Sequence, residues 1–137
     1  MKNKLHGIQY KHITNKQEFI SFIKDTVPKD DIYIIKPNWF DSRPGSYTDA
    51  ETLDAVFLAL PGKKIVIEGH PHSRNDLSIK ITPENMDEKR EWIREQEKEY
   101  FKLLDIDKIL SKHDVEYINI TEEWWKNDTV PEEIIKG

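Results

Sequence analysis

The chain has 137 residues, no cysteine and a formal net charge of −5, a size that suggests one domain with a substantial core. The lack of cysteine excludes disulfides, thiolate nucleophiles and any iron–sulfur cluster ligated by this chain's cysteines, and the acidic balance argues against non-specific nucleic-acid binding, which needs a basic field. No apolar run approaches the roughly 20 residues of a membrane span, and the first residues hold no apolar core of signal-peptide length, so the expectation is a soluble cytoplasmic protein with neither a membrane nor a nucleic-acid partner.

Gly7 to Ile13 is a short strand candidate, with Ile8, Tyr10 and His12 alternating on one face. Asn15, with Glu18 three residues on, is a capping-box variant, and Phe19, Ile20, Phe22, Ile23 and Val27 supply the apolar stripe of a helix that ends at Pro28. Ile32 to Lys36 is almost continuously apolar and β-branched, which suits a strand covered on both faces in a parallel sheet. Residues 37–47 contain Pro37, Pro44 and Gly45 and form a long loop, and long connections are often functional. Thr48-Asp49-Ala50-Glu51 reads as a capping box for a helix buried through Leu53, Val56, Phe57 and Leu60 and stopped by Pro61-Gly62.

Ile65 to Ile67 is the next strand, and a polar loop follows over 69–82. Thr82-Pro83 is a helix start, with Thr as cap and Pro in the first turn. That helix runs to Leu103 with a thin stripe of Met86, Ile93, Tyr100, Leu103 and Leu104 and a highly charged middle. Ile106, Ile109 and Leu110 mark a shorter helix, and Val115 to Ile120 is the last strand. Residues 121–137 read as a tail, opening with a turn that Thr121 caps and that carries Trp124 and Trp125. This order predicts one α/β domain over 1–137: a mostly parallel sheet of about four strands with helices on both faces, a Rossmann-like three-layer sandwich with right-handed crossovers.

Open α/β folds bind ligands beyond the carboxyl ends of their strands, and the polar residues of this chain gather there. Lys36, Asn38, Arg43, Ser46 and Thr48, together with the free amides of the helix that follows, suit a phosphate or carboxylate. The plainer reading is that Thr48 and Glu51 only cap that helix. No glycine-rich phosphate loop is present, which favours a small anion over a nucleotide. Glu68, His70 and His72 are spaced at two and share a face if the backbone stays extended. With Asp76 they form a donor set for a divalent metal such as zinc or iron, although Gly69 and Pro71 interrupt the alternation. The same histidines serve equally as proton-transfer groups oriented by Glu68 or Asp76, or as partners of loop backbone groups.

Lys36-Pro37-Asn38 at a strand end, a Pro/Gly loop, Thr48-Asp49-Ala50-Glu51 at a helix start, the strand Lys63 to Glu68 and the later strand Val115 to Ile120 together resemble the domain-of-unknown-function 362 family. The resemblance covers most of residues 31–121. It implies an α/β fold and, in many members, an association with iron–sulfur proteins, but no settled reaction. The chain departs from the family in lacking cluster-binding cysteines and in stopping soon after the last strand, where the family domain usually continues. An N-terminal part of such a domain leaves the Trp pair and a sheet edge to be covered, for which a second copy is one source. Two functions follow as expectations. The first is a polar site at the strand ends that binds a small anionic ligand or a divalent metal. The alternative is a non-catalytic protein-interaction or self-association module, a homo-oligomer included, working through the charged helix 84–104 and the Trp pair.

Overall fold

The structure is a computed structural model and describes residues 3–5, 8–70, 82 and 84–127, without the side chains of 3–5, 8–10 and 127. Two short strands, β1 (Asn3–Leu5) and β2 (Ile8–Tyr10), pair antiparallel as a hairpin of their own. The rest alternates: α1 (Lys16–Thr26), β3 (Ile32–Ile35), α2 (Ala50–Ala59), β4 (Lys63–Glu68), α3 (Met86–Leu103), α4 (Ile106–Lys112), β5 (Glu116–Asn119) and α5 (Ile120–Asn127). β3, β4 and β5 form a parallel sheet in chain order.

Local chemistry sets the boundaries. Asn15 caps α1 by accepting from the Glu18 amide at 2.9 Å, as its spacing predicts. α2 is capped one residue later than expected: Asp49, not Thr48, accepts from the Thr52 amide at 2.7 Å. At the start of α3, Asn85 rather than Thr82 holds the cap position, and its side-chain oxygen accepts from the Thr82 amide. Gly62 is required by crowding, because a Cβ there would lie 2.5 Å from the Asp30 carbonyl oxygen where β4 begins.

Register fixes the two faces of the sheet. Tyr33, Ile35, Val66 and Tyr117 point to one side and pack on Ile20 and Ile23 of α1, Leu53 and Phe57 of α2, Tyr100 and Phe101 of α3, and Ile106 and Leu110 of α4. Trp39, from the loop after β3, completes this core edge-on to Phe101, with ring centroids 4.9 Å apart. Ile32, Ile34, Ile65, Ile67 and Ile118 point to the other side. None of them belongs to either core cluster, and Ile32 and Ile34 are 54% and 69% exposed.

Three expectations are thereby corrected. The α/β class and the parallel sheet hold, but the sheet has three strands among the described residues, because the N-terminal strand pairs within its own hairpin. α2, α3 and α4 pack on one face, as two successive right-handed crossovers in the same direction place them, and α1 lies beside α2 on that face, so these four helices do not supply the second outer layer of a three-layer sandwich. The segment from residue 121, read as a tail, begins within helix α5; residues 128–137 lie outside the described part.

The core has a direct test in two neighbouring residues. Phe57 is 2% exposed and Leu58 50%. Phe57→Ala is expected to cost about 3–5 kcal/mol in urea unfolding, whereas Leu58→Ala stays within about 0.5 kcal/mol.

Candidate functional site

The loop after β3 closes on itself. The Asn38 amide donates to the Thr48 hydroxyl at 3.0 Å, the Asn38 side chain donates to the Ser46 carbonyl at 3.0 Å, and the Trp39 indole donates to the Thr48 carbonyl at 3.0 Å. Arg43 reaches the Asp41 carboxylate through its backbone amide at 2.9 Å and its Nε at 2.7 Å, and the Ser46 hydroxyl donates to the same carboxylate. These contacts, led by the Ser46 hydroxyl, pull the Asp41 carboxyl down to about 2. The structure thus brings four of the five expected anion ligands together, and Arg43 and Ser46 already hold the chain's own anion, Asp41. Lys36 stands apart, exposed, and lies 3.4 Å from Glu68.

Beyond β4 and β5 a second cluster is more deeply placed. The His70 side chain is only 4% exposed. Its Nδ1 is 3.3 Å from Glu97 of α3, and its Nε2 is 3.1 Å from Glu122 of α5. Arg94 of α3 clasps Glu122 through Nε at 2.8 Å and Nη2 at 3.0 Å. Tyr117 donates its hydroxyl to Glu97 at 3.0 Å. Buried Asn119 caps α5: its side-chain oxygen accepts from the amides of Thr121 and Glu122, at 3.0 and 3.2 Å. That fixes the amide orientation and turns its NH2 toward Glu97, at 2.9 and 3.1 Å. Trp125 stacks on the His70 ring at 5.3 Å, and Arg90 and Arg94 lie 4.9 and 5.5 Å from the Trp125 ring centroid. Gly69 lets the strand end come close, since a Cβ there would meet the Thr121 hydroxyl at 2.9 Å; that hydroxyl accepts from the His70 amide.

Burial pushes the His70 pKa down, but the two carboxylates outweigh it and hold the ring above its ordinary 6.5. For Glu122, burial pushes up while Arg94 and His70 pull down, and the net is below 4.5. The cluster therefore sets His70 and Arg94 among the Glu97 and Glu122 side chains, an arrangement that raises the proton affinity of the His70 ring. The metal expectation fares differently. Glu68 turns to its own Gly69 amide at 3.0 Å and to Lys36, while His70 turns to Glu97 and Glu122. Among the described residues no group of three ionisable side chains is placed to hold a metal ion. His72 and Asp76 lie outside the described residues.

A third polar centre was not read from sequence. Asp54 of α2, 5% exposed, receives Lys16 of α1 at 2.5 Å, Lys112 of α4 at 2.7 Å and His113 at 2.6 Å. Lys112, Lys16 and His113, in that order, hold its carboxyl far below the usual range. Glu97, Glu122, Arg94 and Asn119 were missed as well. Two signals were available: Glu97 falls four residues after Ile93 and four before Phe101, on the buried stripe of α3, and Asn119 with Glu122 repeats the Asn-x-x-Glu spacing of Asn15 and Glu18. The chain matches no family model, no curated protein and no solved structure.

The His70 cluster carries a pH dependence of known sign. Its ion pairs contribute fully below pH 6.5, the ordinary value of a histidine in the unfolded chain, and that contribution is lost as pH rises through the higher native pKa. Urea midpoints measured between about pH 5.5 and 8.5 are expected to fall on the alkaline side, and His70→Gln to remove that fall. A wild-type profile with the same shape as that of the variant would contradict the assignment.

Proposed function

We propose that the chain is a non-catalytic association module whose working surface is the isoleucine face of its sheet. The observation that carries this is the face itself: Ile32, Ile34, Ile65, Ile67 and Ile118 project from a parallel sheet whose described helical cover lies on the other side. Parallel sheets are covered on both faces in folded proteins, and here Ile32 and Ile34 are exposed while Ile65, Ile67 and Ile118 are half-buried beside them. Closing this face with a further layer gives the three-layer arrangement expected from the sequence.

Ligand binding at the strand ends is the weaker reading. The Asp41 loop and the His70 cluster satisfy their polar groups internally, and an anion would have to displace Asp41 from Arg43 and Ser46. The surface differs from the one first expected for an association module, because Trp125 is engaged by His70, Arg90 and Arg94 within the chain. The likeness to the domain-of-unknown-function 362 family fits this reading as a shared β3-loop-α2-β4 framework.

The test uses apolar-dye fluorescence at high dilution, with Ile34→Glu/Ile67→Glu as the variant. Wild type is expected to bind dye, and the variant to bind it several-fold less while remaining folded by circular dichroism. Absence of dye binding in the wild type, together with unfolding of the variant, would mean that the chain covers this face itself, and would end the proposal.

A further inference from the structure

α5 is fastened to the domain differently from the other helices. α1 to α4 each bury at least two residues. No described residue of α5 belongs to either core cluster, and none is fully buried. At eight residues it is also too short to persist on helix propensity alone. Its hold is polar and centres on Glu122. The Glu122 carboxylate accepts from Arg94 Nε at 2.8 Å and Nη2 at 3.0 Å, and Oε1 also lies 3.1 Å from His70 Nε2. Trp125 stacks on the His70 ring with 27° between the planes, and the Arg94 guanidinium lies 5.5 Å from the Trp125 centroid. His70 and Arg94 thus carry most of the attachment.

Elements with few buried apolar contacts open locally, at a free energy well below that of global unfolding. We propose that α5 is a lid over the carboxyl ends of β4 and β5, shut by Glu122 and opening without unfolding of the core. β5 passes directly into α5, so the lid swings on the Asn119–Ile120 junction. What it covers is His70, whose side chain is 4% exposed. The two carboxylates on that ring stand on walls of different strength. Glu97 accepts from the Tyr117 hydroxyl at 3.0 Å and sits on α3, which is rooted in the core by Tyr100 and Phe101. Glu122 sits on α5, which has no such root. Raising α5 removes Glu122 and Trp125 together and bares the His70 ring beside Glu97 and Arg94. That is the end of the sheet where open α/β folds take up ligands. The lid does not depend on the isoleucine face, which lies on the sheet surface and not at the strand ends.

Hydrogen exchange read by mass spectrometry tests this on the whole chain, with diethyl pyrocarbonate acylation of His70 at about pH 8 as a second readout. In the wild type, α5 amides are expected to exchange at least about tenfold faster than α2 amides, each relative to its unfolded-chain rate. Their exchange should barely respond to low urea, because local opening exposes little surface. Glu122→Gln keeps the side-chain shape and removes its charge. It should speed both α5 exchange and His70 acylation about tenfold, with the core helices retained by circular dichroism. Trp125→Ala changes no charge, so it separates access to the His70 ring from the ring's acidity, and should speed both readouts as well. α5 amides that exchange no faster than those of α2, or that speed up with urea in parallel with them, overturn the lid. So do folded Glu122→Gln and Trp125→Ala variants whose α5 exchange and His70 acylation stay at the wild-type rates.

Discussion

β3, β4 and β5 lie side by side in the order in which the chain makes them, and most of the architecture follows from that. Each crossover steps in the same direction, so each right-handed connection delivers its helices to the same side. α2 and then the α3–α4 pair therefore share one face, with α1 beside α2. The shared face becomes a dense core around Val66, Leu53, Phe57, Trp39 and Ile106. The opposite face keeps its isoleucines. A sheet that doubled back on its own order would have placed a helix there.

The polar interior follows a different logic. Asp54 and His70 are both buried ionisable groups with several partners, yet they lie on different seams. Asp54 ties α2 to α1 and α4 within the helical layer. His70 ties the end of β4 to α3 and α5. Buried ion pairs seldom add stability over apolar packing of the same shape, but they penalise any arrangement that separates the partners. Both clusters are better explained as devices that fix which helix meets which than as sources of net stability. The Asp41 loop is a third such device, closed by Arg43 and Ser46 and tied to α3 through the Tyr100 hydroxyl, which donates to the Asp41 carbonyl at 2.6 Å.

Much of the secondary structure was legible because local rules acted unopposed. Asn15 caps where its spacing says, Pro61-Gly62 ends α2, and the β-branched runs become β3 and β4. What failed depended on long-range geometry. The continuous apolar run of β3 reads as covered on both faces, but sequence periodicity carries no information on which side a crossover helix falls. Lys36, Asn38, Arg43, Ser46 and Thr48 read as an anion-binding set, but the spacing did not tell that Asp41, two residues before Arg43, would take up Arg43 and Ser46. His70 was singled out as a metal ligand or proton-transfer group at the strand end. Its partners Glu97 and Glu122 are 27 and 52 residues further along the chain, and only the parallel pairing of β4 with β5 brings α3 and α5 over it.

The His70 cluster and the isoleucine face are linked through α5. Ile120, the first residue of α5 and 42% exposed, lies past the end of the sheet with its side chain 3.6 Å from where a Cβ on Gly69 would sit. Its position depends on how α5 leaves the strand, and that is set by Asn119, which caps the helix on one side while facing Glu97 and His70 on the other. Glu122 and Trp125, one helical turn apart, then clamp α5 against His70 and Arg94. The buried charges thus shape one margin of the apolar surface without lying on it. This gives the strand-end polar residues a structural purpose in the proposed association module.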